Sequence, residues 1–190
     1  MKLIVGLGNP GRKYKATRHN VGALLAESFA AERRISIRRR RYSSLVGEGR
    51  VEGEETVFML PLTYMNLSGE AVRSITKDRG IRTVDILILC DDADLEFGSL
   101  RLRVRGSDGG HRGLRSVIES LGSSDFARLR IGIGKRGELS SHVLSPFVKD
   151  ELRELEFILK KAAGAVECWF TKDISECMNA YNSGGGRQAD

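Results

Sequence analysis

The chain has 190 residues, 41% of them hydrophobic, which is enough to bury one substantial core and too few to require a second domain. Its 31 Lys and Arg against 25 Asp and Glu give a net charge of +6, which favours a polyanionic partner but is shared by many ordinary proteins. The opening apolar run stops at Gly6, too short for a signal segment or a membrane span, so a cytoplasmic protein is expected, and the absence of C-x-x-C spacing among Cys90, Cys168 and Cys177 predicts reduced, mostly buried thiols rather than disulfides or a zinc site.

Leu3-Ile-Val5 is an apolar run ended by glycine and predicts a buried strand. Gly6-Leu-Gly-Asn-Pro-Gly11 then matches the letters of the G-x-G-x-x-G dinucleotide fingerprint. A Rossmann unit needs a helix directly after the third glycine, whereas apolar periodicity here resumes only at Val21, so Asn9-Pro10-Gly11 reads as a turn. Between them lies His19, one of three histidines, flanked by Thr17, Arg18 and Asn20. Imidazole exchanges a proton near neutrality, so a loop histidine among polar neighbours is a candidate base; the plainer reading is a surface histidine beside a helix cap.

Val21, Leu24, Leu25, Ser28 and Phe29 recur at helical spacing, with Asn20 in the cap position. Arg38-Arg-Arg-Arg41 either tracks a nucleic-acid backbone or solvates a loop. A less regular strand is expected at 44–51, a buried one at 56–60 and a helix at about 66–77 capped by Asn66 or Ser68. Ile86-Leu-Ile-Leu-Cys90 reads as another buried strand, and Asp91, Asp92 and Asp94 fall just beyond it, where open α/β sheets place functional side chains. These carboxylates are open to three readings: a divalent-metal site, a turn, or an orienter of His19 that holds Nδ1–H and leaves Nε2 free.

Leu100 to Arg105 and Arg128 to Ile131 alternate strictly, predicting strands with one apolar and one basic face. Arg101, Arg103, Arg105, Arg128 and Arg130 would then present guanidinium forks suited to phosphate, or an ordinary solvated face. Gly110-His-Arg-Gly113 matches the G-x-x-G loop of KH domains; more plainly it is a glycine-rich approach to a helix N-terminus, with His111 either a ligand contact or a first-turn residue. Helices follow at about 114–121 and 149–170, and residues 183–190 carry no apolar content beyond alanine and predict a disordered tail. Interleaved strands and helices indicate the α/β class, with one domain over 1–182. No G-x-S-x-G elbow is present and no cysteine neighbours a histidine in sequence, so water is the expected nucleophile.

Taken together, Gly6-Leu-Gly-Asn-Pro-Gly11, Tyr14-x-x-Thr-Arg-His-Asn20, Pro61-Leu-Thr-Tyr-Met-Asn-Leu-Ser-Gly69, Asp91-Asp-Ala-Asp-Leu95, Gly109-Gly-His-x-Gly-Leu114 and Arg128-Leu-Arg-Ile-Gly-Ile-Gly134 closely resemble the bacterial-type peptidyl-tRNA hydrolases, in order and over nearly the whole chain. The resemblance implies a monomeric single-domain α/β fold, a twisted mixed sheet flanked by helices, and cofactor-free, metal-free hydrolysis of the ester joining a peptide to the tRNA 3′ end. It makes His19 the base that activates water, Asp91 its partner, Asn9 a contact to the peptidyl part and Asn66 a ligand of substrate, water or oxyanion. Tyr14, Tyr64, Met65 and His111 would line the substrate site, while Arg103 and Arg130 would clamp the tRNA 5′ phosphate beside the acceptor stem. One position departs: the family usually has asparagine where this chain has Arg112, which loses a hydrogen-bond acceptor and gains a charge toward the tRNA groove. The competing readings are a non-catalytic RNA-binding relative and, more remotely, a nicotinamide enzyme.

Overall fold

The strands are β1 (Lys2–Gly6), β2 (Arg39–Arg41), β3 (Ser44–Val51), β4 (Glu54–Pro61), β5 (Ile86–Asp92), β6 (Leu100–Arg103) and β7 (Ala127–Gly132) in the computed structural model, which describes residues 1–182. The tail expected at 183–190 lies outside the described residues. The strands form one mixed sheet in the order β2-β3-β4-β1-β5-β7-β6. β4, β1, β5 and β7 run parallel, whereas β2 and β3 on one side and β6 on the other join antiparallel to their neighbours. The parallel strands are nearly continuous apolar runs because both of their faces are covered.

The helices are α1 (Val21–Glu32), α2 (Ser68–Arg79), α3 (Arg112–Leu121), α4 (Leu139–Val143), α5 (Lys149–Thr171) and α6 (Ile174–Tyr181). Ile4, Phe58, Leu87, Leu89 and Leu129 pack with α1 and α5, while Leu3, Val5, Met59, Ile88 and Cys90 pack with α2 and α3. Alternate residues of each buried strand therefore feed two separate cores.

Two glycines set how closely the layers approach. A Cβ on Gly22 would lie 2.1 Å from the Leu89 carbonyl oxygen, and one on Gly69 would lie 2.0 Å from that of Ser116. Gly22 thus lets α1 rest on the backbone of β5, and the residues just before α1 are delivered to the C-terminal end of that strand.

Several expectations are corrected. Asn20 does not cap α1 with its side chain, and neither Asn66 nor Ser68 caps α2. Both helices grow out of a 3-10 turn, Arg18–Asn20 and Met65–Leu67, whose carbonyls already receive the first helical N–H groups. The tetra-arginine run is not all loop: its last three residues form β2, exposed throughout, where Arg39 pairs with Glu48 and Arg41 with Asp78. Cys168 and Cys177 form a disulfide instead of remaining reduced, because the turn between α5 and α6 folds the helices together and sets their Cα atoms 5.7 Å apart. Cys90 is a buried free thiol, as expected.

The basic strand face is also only partly basic. β6 ends at Arg103, and Arg128, opposite it in register, is buried, donating to the carbonyls of Gly106, Ser124 and Phe126. Burial, and then the neighbouring charge of Arg130, pull the Arg128 pKa down to about 10. Its guanidinium replaces backbone partners for a loop and is not offered to a ligand.

Candidate active site

The C-terminal ends of the parallel strands open onto a cleft of about 450 Å³. Its polar centre is Asp91, the penultimate residue of β5, which is buried and rigidly held in the sheet. Asp91 Oδ1 lies 2.7 Å from His19 Nδ1 and 2.9 Å from His111 Nε2, so two imidazoles from opposite walls share one carboxylate oxygen. Their ring centroids are 5.0 Å apart. Burial alone would push the Asp91 carboxyl up; its contacts with His111, then those with His19, outweigh it and hold the group well below the usual carboxylate range.

The hydrogen bonds fix the role of each ring nitrogen. His111 is the N-cap of α3, and its Nδ1 accepts from the backbone N–H groups of Gly113 and Leu114 at 3.1 and 3.2 Å. Nδ1 is therefore unprotonated, and the proton sits on Nε2, donated to Asp91. Both nitrogens of His111 are engaged. His19 has only Nδ1 engaged by Asp91, leaving Nε2 as the nitrogen available for chemistry.

Asn9 is oriented with equal definition. The Met65 N–H donates to its Oδ1 at 2.9 Å, which leaves the amide NH₂ free to donate. The Asn9 backbone is held by Asn20, whose Oδ1 accepts from Asn9 N and whose Nδ2 donates to Asn9 O, both at 2.9 Å. That reciprocal pair is what Asn20 does instead of capping α1. The Met65 thioether packs against Gly113, where a Cβ would meet Sδ at 2.5 Å, so the segment carrying Met65, Asn66 and Tyr64 is pressed against the start of α3.

Asn9, His19, Tyr64, Met65, Asn66, Asp91, His111, Arg112 and Arg130 all line the cleft. Tyr64, Asn66 and Arg112 are exposed at its rim. Tyr14 and Arg103 do not line it: Tyr14 is half-buried on the loop before His19, its carbonyl accepting from Thr17, and Arg103 is exposed on β6. Arg130 donates to Asp92 Oδ2 at 3.1 Å and to the Ser107 carbonyl at 3.0 Å. Asp92 also receives the Asp94 N–H, so this aspartate does form a turn while aiming a cation. One wall was not foreseen: Leu139, Ser140, Val143 and Leu144 on and after α4. α4 has five residues and a single cap, Glu138, whose carboxylate is drawn down to about 2 by hydrogen bonds from the Ser140 hydroxyl and the Ser140 and Ser141 N–H groups. Such an element has too little periodicity to be read beforehand.

The family model described as peptidyl-tRNA hydrolase matches residues 3–189. The chain belongs to the peptidyl-tRNA hydrolase family. A peptidyl-tRNA hydrolase of Desulforudis audaxviator is 51% identical over 183 residues, spanning 96% of this chain and 94% of the relative, and one of Symbiobacterium thermophilum is 48% identical over 187 residues, spanning 96% and 99%. The crystal structure of peptidyl-tRNA hydrolase from Acinetobacter baumannii superposes with a TM-score of 0.91 at 36% identity, covering 96% of this chain and 95% of that one. The mixed sheet flanked by helices is thus the peptidyl-tRNA hydrolase fold.

Proposed function

We propose that this chain hydrolyses the ester between a peptide and the tRNA 3′ end in peptidyl-tRNA, with His19 as general base and water as nucleophile. The observation that carries the reading is the 2.7 Å contact between His19 Nδ1 and Asp91 inside the cleft, because it leaves Nε2 to take a proton from water while the carboxylate offsets the charge that forms. Hydroxide adds to the ester carbonyl, and the oxyanion of the tetrahedral intermediate accepts from the NH₂ groups of Asn9 and Asn66. Collapse breaks the bond to the ribose oxygen, which takes its proton back from His19. Asn9 contacts the peptidyl carbonyl, and Tyr14, Tyr64, Met65 and His111 bound the space for the RNA end and the first peptide residue. Arg103, Arg112 and Arg130 meet phosphate along the acceptor stem.

Hydrolysis on this reading needs no metal. His19, Asp91 and His111 bring three possible ligand atoms within 4.8 Å of one another. For His111 to ligate through Nε2, its proton would have to move to Nδ1, which faces two backbone N–H groups. The donor set suits hydrogen bonding and not coordination, and a chelator is expected to leave the rate unchanged. The same reading makes residues 1–182 a single catalytic domain working as a cytoplasmic monomer. Among the described residues no helix is long and apolar enough to cross a membrane.

The decisive measurement is release of peptide from purified peptidyl-tRNA by wild type and by His19→Ala. Wild type should turn over and the variant should lose at least about 10²-fold in kcat. Wild-type protein that binds the RNA but releases nothing would establish a binding module in place of an esterase.

A further inference from the structure

Arg18, the residue before His19, forms a buried ion pair with Glu151 of α5 at 2.7 Å, the two side chains being 3% and 8% exposed. The pair is a poor device for stability alone. Two more Arg18 nitrogens, Nε and Nη1, are buried without a partner, and such ion pairs are often replaced by apolar side chains of similar volume at no cost. What the pair does supply is direction. Glu151 Oε2 also accepts from the Val148 N–H at 2.9 Å, capping the first turn of a 23-residue helix, and Oε1 lies 3.7 Å from the Arg136 guanidinium. Burial raises the Glu151 carboxyl, but the Val148 N–H and Arg18 outweigh it, so the group stays charged.

Around this carboxylate the base and the unforeseen cleft wall meet. The Arg18 N–H donates to the Ser145 carbonyl at 3.1 Å, Thr17 and Pro146 form an isolated β-bridge, and the Phe147 ring lies 5.1 Å below the Arg18 guanidinium. The wall is pinned at its other end by His142 Nε2, which donates to the Gly134 carbonyl at 2.8 Å. The 3-10 turn carrying His19 and the segment carrying Leu139, Val143 and Leu144 thus share one anchor on a rigid helix.

We infer that Glu151 is a positioning residue for the reaction: through Arg18 it sets the His19 ring against Asp91, and through the same contacts it holds the α4 wall at a fixed distance from that ring. Misplacing a base by a fraction of an ångström costs rate and leaves substrate affinity nearly untouched. The inference rests on His19 acting as the base.

The test compares wild type, Glu151→Leu, Glu151→Gln, the double variant Arg18→Met/Glu151→Leu and His19→Ala, all well below their melting temperatures. Glu151→Leu should lower kcat by about tenfold with KM within about twofold, and the downfield proton resonance of His19 Nδ1–H should broaden or move. Glu151→Gln keeps acceptors for Val148 and Arg18 and should recover most of the rate and the resonance. The double variant removes the stranded charge, so it should regain melting temperature without regaining kcat. Unchanged kcat in folded Glu151→Leu, or recovery of kcat together with melting temperature in the double variant, would overturn the inference. Full activity of His19→Ala would instead remove the base assignment and the inference with it, whereas an inert His19→Ala beside a normal Glu151→Leu removes only the inference.

Discussion

Asp91→Asn separates charge from geometry at the centre of the cleft. Asp91 uses one oxygen to accept from both imidazoles, and an asparagine carbonyl oxygen can accept the same two bonds. Geometry is kept, then, and the carboxylate charge is lost. On the proposed mechanism His19 becomes an imidazolium in the transition state, with that charge 2.7 Å away. At an effective dielectric constant of about 20, two unit charges at this distance attract by about 6 kcal/mol, an upper limit because the amide dipole retains part of it. A loss of about 3–5 kcal/mol corresponds to about 10²–10⁴ in rate. Because Asp91 lies behind His19 and His111, KM should stay within about threefold. Initial rates of peptide release across substrate concentrations read both constants. A variant that keeps kcat within threefold of wild type, or one that loses affinity and not rate, would refute the assignment of Asp91 as counter-charge.

The same substitution changes the response to acid. The Asp91 carboxyl is depressed in the folded chain, so its contribution to stability is fully present above the ordinary carboxylate value of 3.8 and is lost as pH falls below it toward the folded value. Denaturant unfolding should show wild type losing more stability than Asp91→Asn between pH 7 and pH 3; equal losses would contradict the depressed carboxyl. Arg103→Ala and Arg130→Ala should each weaken tRNA binding and reduce the slope of log K against log salt by about 1, and an unchanged slope would argue against phosphate contact. Arg112→Asn should raise KM severalfold with kcat nearly constant, measured by the same peptide-release assay. A large change in kcat at constant KM would place Arg112 at the chemistry and not at the rim.

How far the sequence foretells this molecule depends on the range of the interaction that decides each feature. The runs at Leu3, Thr56 and Ile86 are legible as strands because burial on both sheet faces requires apolar residues at every position, a local pattern. Arg128 and Arg130 look alike in the alternating segment, yet one is buried under a loop and the other reaches the cleft, because only the approach of residues 106–107 distinguishes them. Asn20 sits where a cap belongs, but Asn9, eleven residues earlier, offers a complementary backbone N–H and C=O pair that competes better for its amide. The Cys168–Cys177 link is invisible for the same reason, since nothing in their spacing says that a helix turns back between them.

His19 is a plausible base on sight, but its second histidine partner is a product of topology. β1 lies between β4 and β5, and β5 between β1 and β7. The loop after β1 therefore brings His19 to the C-terminal end of β5 from one side, while the loop after β6 brings His111 from the other. This arrangement also explains why Arg112, at a position where the resemblance implies asparagine, is compatible with the site. His111 contacts Asp91 with its own Nε2 and caps α3 with its own Nδ1; the next residue opens the helix, its side chain exposed at the cleft rim. Arg112 adds a cation where a helix N-terminus already favours anions, outside the three-residue hydrogen-bonded centre. On the proposed function, Arg112 bears on how strongly the RNA is held, and His111 on the orientation of the carboxylate that supports the base.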